Sequence, residues 1–216
     1  MAKDLAIVLV SGSVNSAVAA AVAAQKYRPV FVYGETVKAD QPTRQRLAYD
    51  ALVAHFRPFR DHPVAMQLLA IQSDKLLAAN ADARAGGAVA ASLAEAAALI
   101  GAAVPVAMAY DAAAIYLGLR VGAAHAELSA ATEFLQIWTE MLQMPLGRTE
   151  MELSAPLLEL EPWQVVDLGV QVSAPLDKTW SCHESHADAC GSCRGCRARE
   201  AAFMQAAKID PAKKKA

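Results

Sequence analysis

Aromatic and charged residues are scarce in this sequence. Aromatic side chains make up 6% and charged side chains 19% of the 216 residues, whereas hydrophobic residues reach 55%. This balance excludes intrinsic disorder for most of the length. Roughly a quarter of the chain is alanine, the residue with the highest helix propensity. We therefore expect one domain, or one domain with a small appendage, rich in helices and with a core of small aliphatic side chains.

The chain has no surplus of either charge and no long uninterrupted hydrophobic run. Lys and Arg number 20 and Asp and Glu 22, a net charge of -2, so general nucleic-acid binding is not expected. Glu95, Gly101 and Pro105 interrupt the longest alanine-rich segment, which excludes a membrane span there. That segment is either buried on most sides or part of a homo-oligomer interface. The N-terminus has no signal-peptide layout, so a cytoplasmic protein is expected.

Cysteine is absent from the first 181 residues and then occurs four times in the pattern C-x7-C-x2-C-x2-C. The four cysteines are Cys182, Cys190, Cys193 and Cys196. Disulfides are the alternative, but they are rare in a reducing cytosol. The Cys-x2-Cys spacing suits a turn that directs two thiolates at one ion, with Gly191 and Gly195 relieving the backbone. The pattern predicts a structural zinc ion bound by all four thiolates.

A four-thiolate zinc site has no coordination position left for water or substrate, which favours a structural role over a catalytic one. His183 and His186 are close enough in sequence to be alternative ligands. With four thiolates present, we expect both histidines to lie outside the ligand set. Arg194, Arg197 and Arg199 flank the site and are expected to form a solvated face that balances the thiolate charge.

Short apolar runs alternate with helical stretches in the first half of the chain. The predicted strands are residues 5–10, 29–33 and 64–71, and the predicted helices between them are residues 17–26 and 43–56. This order favours an α/β fold with a doubly wound, mostly parallel sheet. Ligands of such folds bind at the carboxyl ends of the strands, which indicates the loop after Val10.

The second half continues the alternation with more helix. Residues 74–111 have a helical composition apart from Gly86-Gly87 and Pro105. A strand at residues 115–121 and helices at 132–143, 163–168 and 198–207 are predicted. Within residues 132–143 an apolar face is expected to pack in the core; it comprises Phe134, Ile137, Trp138 and Met141.

Motifs at both ends of the chain resemble one known family. Lys178-Thr179-Trp180-Ser181-Cys182 is followed by C-G-S-C-R-G-C-R-A-R at residues 190–199 and then by Ala202-Phe203. This arrangement resembles the C-terminal zinc segment of the 7-cyano-7-deazaguanine synthase family. At the other end, S-G-S-V-N-S at residues 11–16 stands where that family has its pyrophosphatase loop, S-G-G-x-D-S. Shorter resemblances lie between the ends, at Ile115-Tyr116-Leu117-Gly118, Glu133-Phe134 and Ala155-Pro156-Leu157.

The resemblance implies a fold of the adenine nucleotide alpha-hydrolase type, Rossmann-like, with a small zinc-bearing C-terminal lobe. It divides the chain into an α/β domain at residues 1–175, a four-cysteine lobe at 176–207 and a solvated tail at 208–216. It also implies the family's activity: ATP and Mg²⁺ activate 7-carboxy-7-deazaguanine, ammonia forms an amide, and dehydration gives the nitrile. The small-molecule partner would then be a nucleotide or a deazapurine.

The loop departs from the family pattern at two positions. Its predicted phosphate-binding residues are Ser11, Gly12, Ser13, Asn15 and Ser16. Ser13 replaces a glycine, which is expected to narrow the loop or to forbid a positive φ. Asn15 replaces an aspartate, which removes negative charge near a magnesium ion. Gly12 and the helix N-terminus still provide a phosphate cradle.

The region that holds substrate in the family also departs from its pattern. Counting without gaps places Ala96, Ala131 and Pro162 where charged or polar family residues stand, and finds no arginine or aromatic residue near residues 123–131. One alternative is therefore a catalytically degenerate or repurposed relative that serves as a binding or assembly module. Another is a different nucleotide ligand, with His125, Glu127 and Glu133 as replacement polar groups.

Overall fold

The computed structural model of the protein describes residues 4–35, 42–65, 87–144, 146–147, 149–183 and 188–213. Its strands are β1 (Leu5–Leu9), β2 (Arg28–Glu35), β3 (Arg60–Ala65), β4 (Ala114–Leu117) and β5 (Glu152–Ser154). The α-helices are α1 (Val14–Ala24), α2 (Arg44–Phe56), α3 (Gly87–Ala109), α4 (Leu128–Gln143), α5 (Pro162–Gln171) and α6 (Arg194–Gln205). A short 3-10 helix spans Leu176–Lys178.

The five strands form one parallel sheet in the order β3-β2-β1-β4-β5. In the register of its central pairs, Ile7 of β1 lies opposite Val30 of β2 and Ile115 of β4. The chain leaves β1 toward β2 on one side and returns through β4 on the other, so the order reverses between β1 and β4. The predicted doubly wound α/β fold is confirmed, and folds of this kind have their ligand crevice at the carboxyl ends of the two strands where the order reverses.

Successive residues of β1 contribute to cores on opposite faces of the sheet, as the period of a strand requires. Ile7 and Leu9 pack with α3 and α4, whereas Ala6 and Val8 pack with α1 and α2. Helix α1 is buried on two sides, because alanines such as Ala17 face the sheet and Val18 faces α5 and α6. The small side chains of this helix therefore allow packing on both sides.

The third strand differs from its prediction. It spans Arg60–Ala65 and not residues 64–71, of which 66–71 lie outside the described residues. Because β3 is at the edge of the sheet and pairs only with β2, its outer side can carry charged residues and Pro63. The hydrophobic run that follows it is therefore a poor guide to the strand.

Two helices also differ from expectation. Helix α3 continues through Pro105, because Ile100, Ala103 and Ala107 on its inner side are fully buried; residues 74–86 of the predicted helix are outside the described part. In α4 the expected core face is only partly correct. Trp138 packs against the core, whereas Ile137 is 53% exposed. Among the described residues, no helix has the length and hydropathy needed to cross a bilayer.

Helix α6, which follows the cysteines, packs against the body of the fold. Phe203 of α6 shares a buried cluster with Val18 of α1 and Val166 of α5. Within the segment expected to be a solvated tail, Asp210 is buried. Residues 214–216 lie outside the described residues.

Candidate functional site

The loop between β1 and α1 turns at Gly12, where φ is +84°. A Cβ atom there would lie 2.7 Å from the carbonyl oxygen of Gln45 and 3.0 Å from the Cβ of Ala48. Both the left-handed backbone and the approach of α2 therefore require glycine at this position. The carbonyl oxygen of Gly12 accepts a hydrogen bond of 2.9 Å from the backbone N–H of Trp180, which ties the loop to the segment before the cysteines.

Ser13 adopts a negative φ, so the expected conflict between a side chain at this position and a positive φ does not arise. Its φ is -81° and its ψ is 165°, which is extended backbone, and it caps the N-terminus of α1. Its hydroxyl oxygen accepts a hydrogen bond from the N–H of Ser16 and also lies 3.1 Å from the hydroxyl of Ser11. The three hydroxyls thus cluster at the helix N-terminus, where the helix dipole favours an anion.

Gly118 brings the ends of β1 and β4 together. A Cβ on this residue would lie 2.8 Å from the carbonyl carbon of Asn15 and 2.9 Å from the nitrogen of Ser16. The start of α1 therefore rests directly on the backbone that follows β4. This contact lies at the point where the strand order reverses.

A cleft of about 290 Å³ opens beside this contact. Its lining includes the loop and first turn of α1, from Ser13 to Asn15, and the start of α6 with Gly195 and Ala198. The sides are completed by residues of α2, α5 and the two connecting segments: Gln45, Arg120, Pro162, Val166, Trp180, Ser181 and His183. The cleft therefore joins the predicted phosphate loop to the cysteine lobe.

The cleft has side chains that the comparison of residues 92–96 and 123–131 with the family pattern does not include. An arginine and aromatic residues are present, since Arg120, Trp180 and Phe203 all line it. Trp180 and Phe203 belong to the C-terminal segment that resembles the family, whereas Arg120 lies outside the segments that the sequence analysis compares. Two of the alanines expected at substrate positions, Ala96 and Ala131, are buried in hydrophobic clusters and not in the cleft.

The alternative polar groups do not reach the cleft. His125, Glu127 and Glu133 are not among its described lining residues. His125 and Glu127 instead contact each other, with the Nδ1 atom of His125 3.8 Å from a carboxylate oxygen of Glu127. Pro162 lies in the first turn of α5, where Glu161 forms a capping box with Gln164.

The four cysteine sulfurs lie within 4.8 Å of one another. Cys182 Sγ is 3.6 Å from Cys190 Sγ and 3.9 Å from Cys193 Sγ, and Cys190 Sγ is 4.0 Å from Cys196 Sγ. These separations exceed the sulfur–sulfur bond of a disulfide. They are close to the edge of about 3.8 Å that a tetrahedron with metal–sulfur bonds of about 2.3 Å has. The cluster could therefore hold one metal ion.

Backbone N–H groups point at the sulfurs of Cys190 and Cys193 and favour the thiolate form of these two residues. The N–H of Cys193 lies 3.3 Å from Cys190 Sγ, and the N–H of Cys196 lies 3.4 Å from Cys193 Sγ. Hydrogen bonds from the backbone of Cys193 and Ser192 lower the pKa of the Cys190 thiol to about 6. Burial has the opposite effect on Cys196 and raises the pKa of its thiol to about 12, so of Cys196 and Cys190 it is Cys190 whose thiolate, the form that binds metal, is favoured.

The two glycines of the cysteine segment are required for different reasons. Gly191 has a φ of +72°, so it supplies the left-handed turn. Gly195 lies in α6, where a Cβ would overlap the carbonyl oxygen of Ser181 and crowd the ring of His183. His183 is exposed and is not part of the ligand cluster. His186 lies outside the described residues.

The expectation of a solvated face holds for Arg194 and Arg197, which are exposed, but it is wrong for Arg199. Its side chain is only 9% exposed and forms a bidentate ion pair with Asp210, at 2.7 and 2.8 Å. It also donates to the carbonyl oxygens of Thr179 and Leu176. Arg199 thus joins α6, the 3-10 helix and the C-terminal segment, a role that the clustering of arginines in the sequence concealed.

Comparison with known proteins gives a match over residues 5–207 to the family described as queuosine biosynthesis protein QueC. The 7-cyano-7-deazaguanine synthase of Acidobacterium capsulatum is 27% identical over 230 residues, covering 97% of this chain and 96% of that protein. That of Aliarcobacter butzleri is 33% identical over 103 residues, covering 47% and 45%. Among solved structures, NMN synthetase from Francisella tularensis has a TM-score of 0.46 at 16% identity, covering 96% of this chain and 79% of that one. U34-tRNA thiolase NcsA from Methanococcus maripaludis, solved with its [4Fe-4S] cluster, has a TM-score of 0.49 at 12% identity, covering 93% and 63%.

Proposed function

The chain belongs to the QueC family of queuosine biosynthesis proteins, and from this membership we propose that it is an ATP-dependent 7-cyano-7-deazaguanine synthase. Its relatives named for this activity include one that aligns over nearly its whole length. The observation that carries the proposal is the cleft at the carboxyl ends of β1 and β4, which is lined by the loop that resembles the family's pyrophosphatase loop.

The β1–α1 loop is the proposed phosphate site. The N–H groups of Val14 and Asn15 are in the first turn of α1 and have no acceptor inside the helix. The glycine backbone at position 12 keeps the turn tight, and the serine hydroxyls add donors beside it. We assign phosphate binding to Ser11, Gly12, Ser13, Asn15 and Ser16.

In the proposed reaction this loop would orient ATP so that its α-phosphate faces the substrate carboxylate. The carboxylate oxygen forms a bond to the α-phosphorus of ATP, and pyrophosphate leaves. The activated carboxylate then carries AMP as a good leaving group, which ammonia can displace to form the amide. Loop N–H groups would stabilise charge on the phosphate oxygens during this step. Among the described residues, the cleft lining includes no carboxylate, so we assign no residue of the chain as a magnesium ligand.

We propose zinc as the metal of the four-cysteine cluster. The sulfur separations fit one tetrahedral ion bound by Cys182, Cys190, Cys193 and Cys196. A [4Fe-4S] cluster held by four cysteines places each sulfur on a different iron, which needs wider spacing than the edges of one tetrahedron. With four thiolate ligands the ion would connect the segment that contains Cys182 and Cys190 to α6, and it would take no part in catalysis.

Incubating the purified protein with ATP, Mg²⁺, ammonium and 7-carboxy-7-deazaguanine tests the activity. We expect the nitrile and AMP to form, detected together by chromatography and mass spectrometry. Omitting ammonium should abolish the nitrile. A folded, metal-loaded protein that forms no nitrile would contradict the proposal and would support the binding-module alternative if it still bound ATP.

A further inference from the structure

Arg120 has a charge that no acidic side chain in the described part of the chain neutralises. Its Nη1 atom lies 3.5 Å from the carbonyl oxygen of Val121 and 3.4 Å from that of Leu160. Both distances are at the long end for hydrogen bonds. A guanidinium has five N–H donors, so most of its donor capacity is available to a ligand in the cleft.

The backbone around Arg120 is fixed, which distinguishes it from a flexible surface arginine. Its neighbours Leu119 and Val121 are buried, at 8% and 7% exposure. The N–H groups of Val121 and Gly122 both donate to the carbonyl oxygen of Leu158, at 2.8 and 2.9 Å. The side chain therefore leaves a rigid segment just beyond β4 and lines the cleft.

The other arginine of the cleft is already neutralised. Arg199 pairs with buried Asp210 through two hydrogen bonds. The described lining includes no Asp or Glu, so within the described part of this partly enclosed space no carboxylate pairs with Arg120. A charge in such a space attracts an anion more strongly than an exposed charge does.

We propose that Arg120 is the specificity-determining residue for an oxyanion in the cleft that it lines together with the β1–α1 loop. The proposal rests on the function proposed above, whose reactants offer two such groups: the carboxylate of the deazapurine and the phosphates of ATP. Both present paired oxygens that match the planar fork of a guanidinium. The loop and Arg120 would then hold the reacting partners together.

Calorimetric titration of R120Q and R120K against three probes tests this role. The probes are ATP, 7-carboxy-7-deazaguanine and inorganic pyrophosphate. R60Q is the matched control, because Arg60 lies on the edge strand and is not among the residues lining the cleft. We expect R120Q to weaken binding of the relevant probe by about tenfold or more, as for loss of a charged hydrogen bond. R120K should lose less, and R60Q should stay within about twofold.

The probe that is affected identifies the ligand group. Weaker binding of the deazapurine alone assigns Arg120 to the carboxylate, and weaker binding of ATP and pyrophosphate assigns it to the phosphates; either result supports the proposal. Unchanged affinity of R120Q for every probe that the wild type binds would overturn it, as would a wild type that binds none of the three. If R120Q melts at a clearly lower temperature than the wild type, R120K decides by the same criteria.

This test separates the present proposal from the proposed function. A wild type that forms no nitrile but binds pyrophosphate through Arg120 would contradict the activity and keep the anion site. A wild type that forms the nitrile, with R120Q binding every reactant normally, would keep the activity and reject the role of Arg120.

Discussion

At the scale of single residues, Gly118 is important because of the side chain that it lacks. The carbonyl of Asn15 and the nitrogen of Ser16 occupy the space that a Cβ would need. These atoms belong to backbone, which cannot move aside as a flexible side chain can. Any larger residue must therefore push the first turn of α1 away from β4 and distort the proposed phosphate loop.

G118A should destabilise the protein by about 1–3 kcal/mol, the usual cost of overpacking a tight contact. Denaturant unfolding at neutral pH measures this change. G101A is the control, because Gly101 is exposed in α3 and a Cβ there meets nothing within 4 Å. It should leave stability unchanged or raise it by about 0.5–1 kcal/mol. Equal effects of the two substitutions would contradict the proposed importance of the β4–α1 contact.

Asp210 makes the stability of the C-terminal segment depend on pH. Burial by itself raises the pKa of this carboxyl, but the hydrogen bonds from Arg199 and from the N–H of Ala212 outweigh it, and the pKa lies below its ordinary value. A lowered folded pKa means that the stabilisation is complete above the unfolded pKa of about 3.9 and is lost as the pH falls through the folded value.

D210N should therefore reduce the free energy of unfolding by about 3 kcal/mol at pH 7, since it leaves a buried guanidinium without its counter-charge. The difference from the wild type should shrink as the pH falls below about 4. Unfolding curves of both proteins over this range measure it. E200Q is the control, because Glu200 lies in the same helix as Arg199 but forms an exposed ion pair, with Lys213 of the C-terminal segment. A difference for D210N that does not depend on pH would contradict the ionic role.

At the scale of elements, the sequence predicts a strand or helix best where the pattern of apolar residues matches the faces that the element buries. Strand β1 lies at the centre of the sheet and is apolar on both faces, so its position follows from its composition. The position of strand β3 does not follow from its composition, because one side of an edge strand needs no apolar side chains. Similarly, α3 passes through Pro105 because tertiary packing outweighs the local cost of proline.

In the cysteine lobe the sequence predicts which cysteines could share a metal ion, and the structure brings these four together, but the surroundings of the lobe could not be predicted. Four cysteines at this spacing indicate a metal site without any structure. The sequence does not reveal that α6 also forms a wall of the cleft, because that depends on packing of Phe203 against α1 and α5. Nor does it distinguish Arg199, which is buried, from Arg194 and Arg197, which are exposed.

C193S should separate the metal role of Cys193 from its role as the N-cap of α6. The thiol of Cys193 accepts from the N–H of Cys196, and serine is a good N-cap, so the substitution removes a ligand while it keeps the cap. We expect zinc content to fall well below one per chain and hydrogen exchange in α6 to speed up. S192A, which keeps all four thiolates, should retain the metal. Full zinc content in C193S would show that the ligand assignment is wrong.

At the scale of the whole molecule, the two motifs farthest apart in sequence meet at one cleft. The N–H of Trp180 donates to the carbonyl oxygen of Gly12, and Gly195 of α6 lines the same cleft as Ser13 and Asn15. The parallel sheet predicted from the alternation of elements places the loop at the crevice. The part of the lining that α6 supplies and the cleft's arginine depend on long-range contacts that local pattern does not contain.

This arrangement predicts that the metal supports ATP binding without touching the nucleotide. Removing it should release α6 and the Trp180 segment from each other, which loosens the hydrogen bond to Gly12 and raises the dissociation constant of ATP several-fold. Calorimetry on metal-loaded, chelator-treated and zinc-restored protein measures this, with the chelator dialysed away before Mg²⁺ is added. Circular dichroism should show that the sheet persists throughout, and affinity should recover with zinc. An ATP affinity that is the same with and without the metal would mean that the loop keeps its shape independently of the cysteine lobe, and the metal would then stabilise only its own segment.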